Sequence, residues 1–595
     1  MQQPDAKLKQ LLSQVQKPAR YMGNEWNTCR KEHAETAVRM VLAFPDIYEV
    51  GMSNQGLKIL YESVNSLPDL LMERVFAPGT DMEELMREHD LPLFALESQT
   101  PLIEFDVVGF SLQYELSYTN VLNMLDLAGI SLYSSERSES EPLIIGGGPC
   151  AFYPEPLAPF FDLFVLGESE EFLPKLLNDY NELKNQNLKR NEILARLSEW
   201  EGIYVPAFYQ PVYKDGLLYA MERTDPRVPE VIKKKAVCDL DSTIYPIYPI
   251  VPYIQAVHDR AVVELFRGCS RGCRFCQAGY TFSPVRRRSR EKVVDTAKKQ
   301  IAATGYEEIS LSSLSSTDYP GLDTLINDLD QALTKENVKC NLPSLRLDSY
   351  SIRLADKLHQ GRRSSLTFAP EAATERLRRV IKKNISEADI FTAFSDAVDA
   401  GWQGFKLYFM IGLPAEKDAD VEAIVYFCQK IRQYFRKKIK RKINLSVSVS
   451  TFVPKAHTPF QWEPQLALSQ VIKRQEILQK GFKKIPGVEL SWHEAEASFL
   501  EAVFARGDRG LAPVLERAWR LGCRFDGWSE QFSFKKWQQA FQELNIDAGK
   551  YAYRRFHYDD FLPWDHLYCG VDKEVFIREH QKAFSGDTHD QGAVQ

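Results

Sequence analysis

Short apolar runs and amphipathic runs alternate along most of this chain. From Ala37 the residues AVRMVLAF form an apolar stretch that ends at Pro45-Asp46, and LKILYESVNSL follows with apolar positions three and four apart. The first pattern predicts a buried strand and the second an amphipathic helix. The alternation continues with strands at MERVFAP, PLFAL, DVVGFSL, PLIIGGG and LFVLGE and helices at DMEELMREH, LSYTNVLNMLDLAGI and EEFLPKLLNDYNELK. Apolar strands separated by helices predict a parallel, doubly wound, Rossmann-like sheet that holds ligands at the C-terminal ends of its strands. This domain is expected over residues 37–200, after a polar leader over 1–36.

Residues 201–258 are rich in Pro and Tyr, as in YPIYPIVPY, and read as a structured connector, because flexible linkers are rich in Gly and Ser instead. From residue 259 the alternation resumes for six rounds, with strands at AVVELFR, EEISLSS, KCNLPSLRL, SLTFAP, GFKLYFMIG and NLSVSVSTF. Six consecutive βα units predict a partial (βα)6 barrel over 259–480, working at the C-terminal ends of its strands. The fold class is therefore α/β, with a mixed, Trp- and Phe-rich C-terminal region over 481–595. Its stretch SFLEAVFARGDRGLAPVLERAW is expected to close the barrel mouth, with Arg506, Asp508 and Arg509 as a surface ion-pair group.

At 595 residues the chain exceeds one core, and ~150 residues per unit implies ~4 units. A net charge of −7 argues against nucleic acid or a membrane surface as partner, since both attract basic proteins. The N-terminus has no apolar signal core and no run of 18 apolar residues follows, so a soluble, cytoplasmic protein is expected. Cysteines are expected to stay reduced there, and a tight group of them points to metal or catalysis before disulfides.

Such a group exists. In LFRGCSRGCRFCQAG, Cys269, Cys273 and Cys276 stand within eight residues, just after the first barrel strand. The other seven cysteines (Cys29, Cys150, Cys238, Cys340, Cys428, Cys523 and Cys569) are scattered singly. Thiolates are soft ligands for iron–sulfur clusters or zinc, but structural zinc wants four ligands, usually as two pairs. Three thiolates on a four-iron cluster leave one iron open. The run RRRSRE after the group either balances an anionic centre or is a solvated helix start, and RKKIKRK (Arg436–Lys442) reads as a basic helix end.

The C-x3-C-x2-C spacing, with Phe275 before the last cysteine, resembles the radical S-adenosylmethionine (SAM) superfamily. The resemblance implies that Cys269, Cys273 and Cys276 hold a [4Fe–4S] cluster whose open iron chelates SAM. One-electron reduction then cleaves SAM to a 5′-deoxyadenosyl radical. It further implies that Ser312, Ser313 and Ser315 lie near the methionyl amino group, Glu371 near the ribose, Arg376 or Arg378 near the carboxylate, and Gly412 beside the adenine. Electrons would come from an external donor, a ferredoxin or flavodoxin. His457, in FVPKAHTPFQW after the sixth strand, is either a substrate-binding or proton-donating group or a structural histidine.

A doubly wound domain ahead of such a barrel resembles the cobalamin-binding subfamily, and the likeness to one uncharacterised bacterial family runs along nearly the whole chain. In cobalamin domains the loop after the first strand often reads D-x-H-x-x-G; here it has Asp46, then Tyr48 where His would stand, then Gly51. Ser111, the turn Gly146, Gly147 and Gly148, and Gly167-Glu168 complete the resemblance. Tyr is a poor cobalt ligand, so either cobalt has no protein ligand on that side or cobalamin is absent and the domain is a scaffold. With cobalamin, methyl transfer to an unactivated carbon is the implied reaction. Two other readings stand beside it. One is a tRNA-modifying methylthiotransferase, which usually carries a second cysteine trio and a basic tail that are missing here. The other is a non-catalytic iron–sulfur or cobalamin carrier.

Overall fold

Seven residues from Val38 to Phe44 form β1, all but one of them buried. The computed structural model describes residues 6–336, 338–342, 365–438 and 444–585. Beside β1 lie β2 (Leu70–Phe76), β3 (Val107–Ser111), β4 (Leu143–Gly147), β5 (Leu163–Val165) and the short antiparallel β6 (Ile203–Tyr204), in the order β2-β1-β3-β4-β5-β6. The first five are parallel, and apolar cores cover both faces, which is why their sequences run apolar without alternating. The chain reverses direction across the sheet between β1 and β3, the switch point at which doubly wound sheets open a crevice. PLFAL, expected as a strand, makes one isolated bridge, Phe94 to Pro101. The chain turns straight back there, with Gln99 N–H donating to Ala95 O and Gln99 at φ 61°, so no ladder can grow.

Residues 201–258 carry short strands. A hairpin pairs β7 (Tyr209–Lys214) with β8 (Leu217–Arg223) through Asp215-Gly216, both at positive φ as a two-residue hairpin turn requires, and β9 (Ile232–Lys233) follows. The region expected as a partial barrel opens with β10 (Ala261–Glu264) and β11 (Phe266–Arg267), the latter paired antiparallel with β12 (Arg286–Arg287), and its parallel strands form two sheets among the described residues. Next come β13 (Glu308–Ser312) and β14 (Lys339–Asn341), which complete a parallel sheet in the order β10-β13-β14. A second parallel sheet runs β15 (Ser365–Glu371), β16 (Gly404–Ile411), β17 (Asn444–Thr451), β18 (Val488–Trp492). Residues 343–364, including the end of the strand expected at KCNLPSLRL, and most of RKKIKRK lie outside the described residues. The arrangement is the expected α/β class with parallel strands in sequential order. One strand is added: β18 is short and half-exposed, so its sequence VELSW carries little apolar signal, yet it pairs with β17 over five positions.

The C-terminal helices Ala495–Ala505, Ala512–Arg520 and Phe534–Glu543 lie against the N-terminal domain. Leu500, Trp537 and Trp564 share one core with Val121 and Phe152, Trp519 Nε1 donates to Asn123 Oδ1 (3.2 Å), and Thr119 Oγ1 donates to Asp526 Oδ2 (2.8 Å). A last strand, β19 (Leu567–Tyr568), pairs parallel with β9. Of the expected surface ion-pair group, Arg506 and Asp508 are buried and Arg509 is largely so. Arg506 donates to the carbonyls of Tyr551, Ala552 and Arg554, and Arg509 pairs with Glu155 (3.0 Å) of the N-terminal domain, because each arginine satisfies acceptors that the interface strips of water. Among the described residues, no helix is long and apolar enough to cross a membrane.

Candidate active site between the two sheets

The cysteine loop leaves the barrel at β11 through Gly268, whose φ is +90°; a Cβ there would stand 2.7 Å from Phe282 O. The loop is then fastened from several sides. Arg274 N–H donates to Ile381 O (3.1 Å), and its guanidinium donates to Arg379 O (3.0 Å) and Val380 O (2.8 Å). Tyr280 OH donates to Gly272 O (3.2 Å), and Gln277 Nε2 donates to Ala456 O (3.1 Å). Phe275 packs into an apolar cluster with Ala372, Leu413 and Phe452, so the ends of the fourth, fifth and sixth barrel strands meet the loop.

Cys269, Cys273 and Cys276 are free thiols, each partly exposed. Burial pushes the Cys273 thiol up to about 11; Lys383 opposes that shift, while Cys276, Cys269 and Glu371 add to it. Burial also raises Cys276. Glu371 ends β15 at φ 66°, 3.4 Å from Lys383 Nζ; burial raises its carboxyl, and Lys383 holds the shift back. Three thiols, a carboxylate and an ammonium thus share one electrostatic neighbourhood. Among the described residues no three His, Cys, Asp or Glu side chains converge on a single metal ion. Three thiols on one loop suit a cluster in which each thiolate takes a different iron.

Beside the loop lies a cavity of about 380 Å³ between the C-terminal ends of two parallel sheets, the N-terminal one and β10-β13-β14. Its floor is apolar (Met40, Leu42, Ile59, Ile145, Val165 and Leu173), and Gly268, next to Cys269, forms part of its barrel wall. Two glycines make the room. A Cβ on Gly109 would overlap Met40 Cε at 2.2 Å, and one on Gly147 would meet nothing within 4 Å, projecting into the open space. Ser111 Oγ accepts from Gln113 Nε2 (2.9 Å) at the rim. A chain of largely buried charges lies beside the cavity, linking the N-terminal domain to the barrel region. Arg286 donates to both oxygens of Glu168 (2.5 and 2.7 Å), and Arg267 pairs with Glu170 (2.7 Å) and Glu264 (3.0 Å). Arg288 reaches Glu264 (3.1 Å).

The structure brings Ser111, Gly146, Gly147, Gly148, Ser312 and Ser313 to the cavity wall, and Glu371 to the cysteines. It leaves others elsewhere. Ser315 is buried outside the lining, and its carbonyl accepts from Asp318 N–H (2.9 Å). Gly412, at φ 81°, donates its N–H to Glu416 (2.9 Å) and lies at the end of β16 beside the Phe275 cluster. Asp46 accepts from Trp528 Nε1 (3.0 Å), Gly51 packs toward Phe76, and Tyr48 donates to Glu25 (2.9 Å) within the core; none lines the cavity. Arg376 pairs with Asp420, and Arg378 caps the carbonyls of Ala372, Ala373 and Ile385, so neither turns to the loop. His457 is fully buried against Phe152 O (2.9 Å), and burial pushes it down to about 4, which keeps it neutral. The arginines of RRRSRE divide: Arg286 and Arg288 are buried in the charge chain, while Arg287 and Arg290 are exposed. Sequence reasoning missed Gly109, Arg267, Arg274 and Lys383. A signal existed for Gly109 alone, a glycine inside a strand, which marks close approach.

Residues 56–206 match the family model described as Radical SAM proteins, N-terminal, and residues 263–428 match the Radical SAM superfamily model. An uncharacterized protein of Methanocaldococcus jannaschii is 29% identical over 483 residues, 80% of this chain and 90% of the relative. A tRNA-2-methylthio-N(6)-dimethylallyladenosine synthase of Ehrlichia canis is 21% identical over 259 residues, 42% of this chain and 57% of that one. Among solved structures, the cobalamin-dependent SAM radical enzyme OxsB aligns over 94% of this chain and 81% of its own at 12% identity and TM-score 0.47. The radical SAM methyltransferase TsrM from Kitasatospora setae aligns over 69% and 72% at 13% identity and TM-score 0.45. Both scores fall below the level of a shared fold. With both family models matched in order and three cysteines fastened at the end of the first barrel strands, the chain belongs to the radical SAM superfamily.

Proposed function

We propose that this protein is a radical SAM enzyme that binds a [4Fe–4S] cluster through Cys269, Cys273 and Cys276, and that it holds the heteroaromatic tail of a cobalamin in the cavity between the N-terminal sheet and β10-β13-β14 for methyl transfer to an unactivated carbon. The observation that carries the reading is the junction itself: the wall residue Gly268 and the first ligand, Cys269, are neighbours, so the cysteine loop opens onto a glycine-lined cavity. Bound there, the two groups supply an electron that splits the SAM sulfonium and a transferable methyl group.

The chain's own residues do the rest. Ser312 and Ser313 present hydroxyls beside the loop, and Glu371 with Lys383 provides a carboxylate and an ammonium for the polar ends of SAM. Gly109 and Gly147 leave space for a flat heteroaromatic group over an apolar floor. The Arg286–Glu168 and Arg267–Glu170 pairs hold the two walls together. With no imidazole on the cavity wall from the loop after β1, cobalt would have no protein ligand from that loop. Methylthio transfer would call for a second cysteine group, whereas six of the remaining seven cysteines are spread over four separate apolar cores and Cys238 is exposed.

The test is anaerobic reconstitution with iron and sulfide, followed by dithionite, SAM and quantification of 5′-deoxyadenosine. Wild type is expected to make it and Cys273→Ala to lose both iron and product; an iron-loaded wild type that makes none refutes catalysis. Separately, protein incubated with hydroxocobalamin and desalted is expected to keep a corrin spectrum. A colourless protein refutes the cobalamin half alone.

A further inference from the structure

The sheet β15-β16-β17-β18 carries its two faces differently. Leu366, Phe405, Leu407 and Val447 point to one side and share a core with the helices Glu387–Asp399 and Leu468–Phe482. The alternate residues point to the other side, which βα barrels ordinarily fill with bulky branched side chains. Here that side is polar and solvent reaches it. The register sets Thr367, Lys406 and Ser446 in one row across β15, β16 and β17, then Tyr408 and Ser448, then Met410 and Ser450. Thr367 and Tyr408 are exposed and the others half-buried. Among the described residues the hydroxyls of Thr367, Ser446 and Ser448 have no protein partner, and Ser450 reaches Phe409 O only at 3.5 Å. The sheet β10-β13-β14 repeats the pattern, with Ile309 and Leu311 in its helix-side core and Ser310 and Ser312 on the other face.

One cation stands on this face without a counter-ion. Lys406 Nζ lies 4.8 Å from the centre of the Tyr408 ring, so the side chain leans toward the C-terminal end of β16, and among the described residues no carboxylate pairs with it. The carboxylates of the two faces are distant or already held. Glu489 shares the row of Lys406 but stands two strands away on the edge strand β18, about 10 Å at ~4.8 Å per strand. Glu308 accepts from Asn341 (3.1 Å) and lies 3.8 Å from Arg260, Glu264 is taken by Arg267 and Arg288, and Glu371 faces Lys383. Met410 and Phe275 of the cysteine loop pack against one apolar cluster, and Tyr408 lies two residues below Met410, about 7 Å at ~3.3 Å per residue.

We propose that this polar face binds the substrate, and that the substrate is a small hydroxylated acid, a polyol bearing a phosphate or a carboxylate, whose anionic end Lys406 receives. The inference rests on the reading of the cysteine loop as the reaction centre and adds a substrate class to it. A half-buried ammonium without a carboxylate gives an oxyanion a charge-assisted hydrogen bond. The serine and threonine hydroxyls each donate and accept, and they recur about 4.8 Å apart across the strands and about 6.6 Å apart along them, a spacing that suits a chain of hydroxyl groups. An acid anchored beside Tyr408 leaves about 7 Å to the loop, the reach of a short sugar-like chain. An apolar chain would strip water from these hydroxyls and give no bond in return, and a cationic head group would meet Lys406.

The experiment uses the full chain, anaerobically reconstituted and supplied with SAM so that the cysteine loop is occupied. Ribose 5-phosphate and gluconate are the hydroxylated acids, and ribose and hexanoate are controls that each lack one feature. Calorimetric affinities are compared for wild type, Lys406→Met, Lys406→Arg and Ser448→Val. A charge-assisted hydrogen bond changes affinity by about 10- to 100-fold. Wild type is therefore expected to bind one of the hydroxylated acids at least about 10-fold more tightly than ribose or hexanoate, and the tighter of the two acids names the head group. Lys406→Met should lose about 10-fold or more, Lys406→Arg should keep most of the affinity, and Ser448→Val should lose about 2- to 10-fold. Equal binding of all four probes, no binding of either hydroxylated acid, or an unchanged affinity in Lys406→Met overturns the proposal. Formation of 5′-deoxyadenosine with dithionite is followed in parallel. A wild type that makes none refutes the reading of the loop as a reaction centre, while the affinities still decide what the face binds.

Discussion

Replacing Arg286 with Met tests whether buried charge joins the two sheets. Glu168, at the end of β5, receives two bonds from Arg286 (2.5 and 2.7 Å), one from Val237 N–H (2.8 Å) and a longer contact from Arg267 (3.3 Å). Both partners are nearly dry, at 8% and 6% side-chain exposure, so solvent screens little. Charge-assisted bonds are worth about 1.5–3 kcal/mol each, and breaking a buried pair costs about 3–5 kcal/mol because the surviving charge is left uncompensated. Arg267 and Val237 remain on Glu168, which sets the expectation for Arg286→Met at the low end, about 3 kcal/mol. Glu168→Gln keeps the shape and should cost about 2 kcal/mol, and the double variant less than the sum, with a coupling of about 2 kcal/mol. The assay is hydrogen exchange of peptides spanning 163–170 and 282–288 in the metal-free protein, since a chain of this size does not unfold in one step. An opening free energy lower by about 3 kcal/mol speeds exchange at these segments roughly 100-fold. If the two single variants add within about 0.5 kcal/mol, the pair is not coupled and the charge chain does not hold the interface.

Two further outcomes follow from buried groups near the site. His457, pushed down to about 4 by burial, is neutral when folded and titrates at its ordinary value, near 6.5, when unfolded. The unfolded chain therefore binds the extra proton, and His457 contributes full stability above that value and loses about 1.4 kcal/mol per pH unit as pH falls toward 4. His457→Asn, which tolerates the local φ of 56°, should flatten that acid limb in thermal unfolding at pH 5 against pH 7, and an unchanged limb contradicts the assignment. Gly147→Leu should fill the cavity without disturbing the sheet, since nothing stands within 4 Å of the new Cβ. Its expected signature is loss of retained hydroxocobalamin with 5′-deoxyadenosine formation intact, and a variant that still holds corrin places the cofactor elsewhere.

What could be read from the sequence was what the chain writes locally. Strands buried on both faces have to be apolar throughout, so β1, β3 and β4 announce themselves, and the three cysteines sit within eight residues because one loop carries them. Where the signal is weak the reading slips: β18 alternates exposure along a polar sequence, and PLFAL is apolar but turns before it can pair. The larger gap concerns charged side chains, whose roles depend on partners far along the chain. Arg286 meets Glu168 across 118 residues, Arg509 meets Glu155 across 354, and Thr119 meets Asp526 across 407. An arginine run looks the same in sequence whether water or a buried carboxylate receives it, and desolvation decides between those fates only after the sheets have packed. Tyr48 makes the same point from the other side. Its position matched a ligand motif, but the loop turns its ring inward onto Phe76 and its hydroxyl onto Glu25, so the motif's spacing survives without the exposure its chemistry needs. The cysteine loop escapes this ambiguity because its chemistry requires only that three thiols share a turn. The cavity does not, because its walls come from two sheets that the sequence reads separately and only the fold brings together.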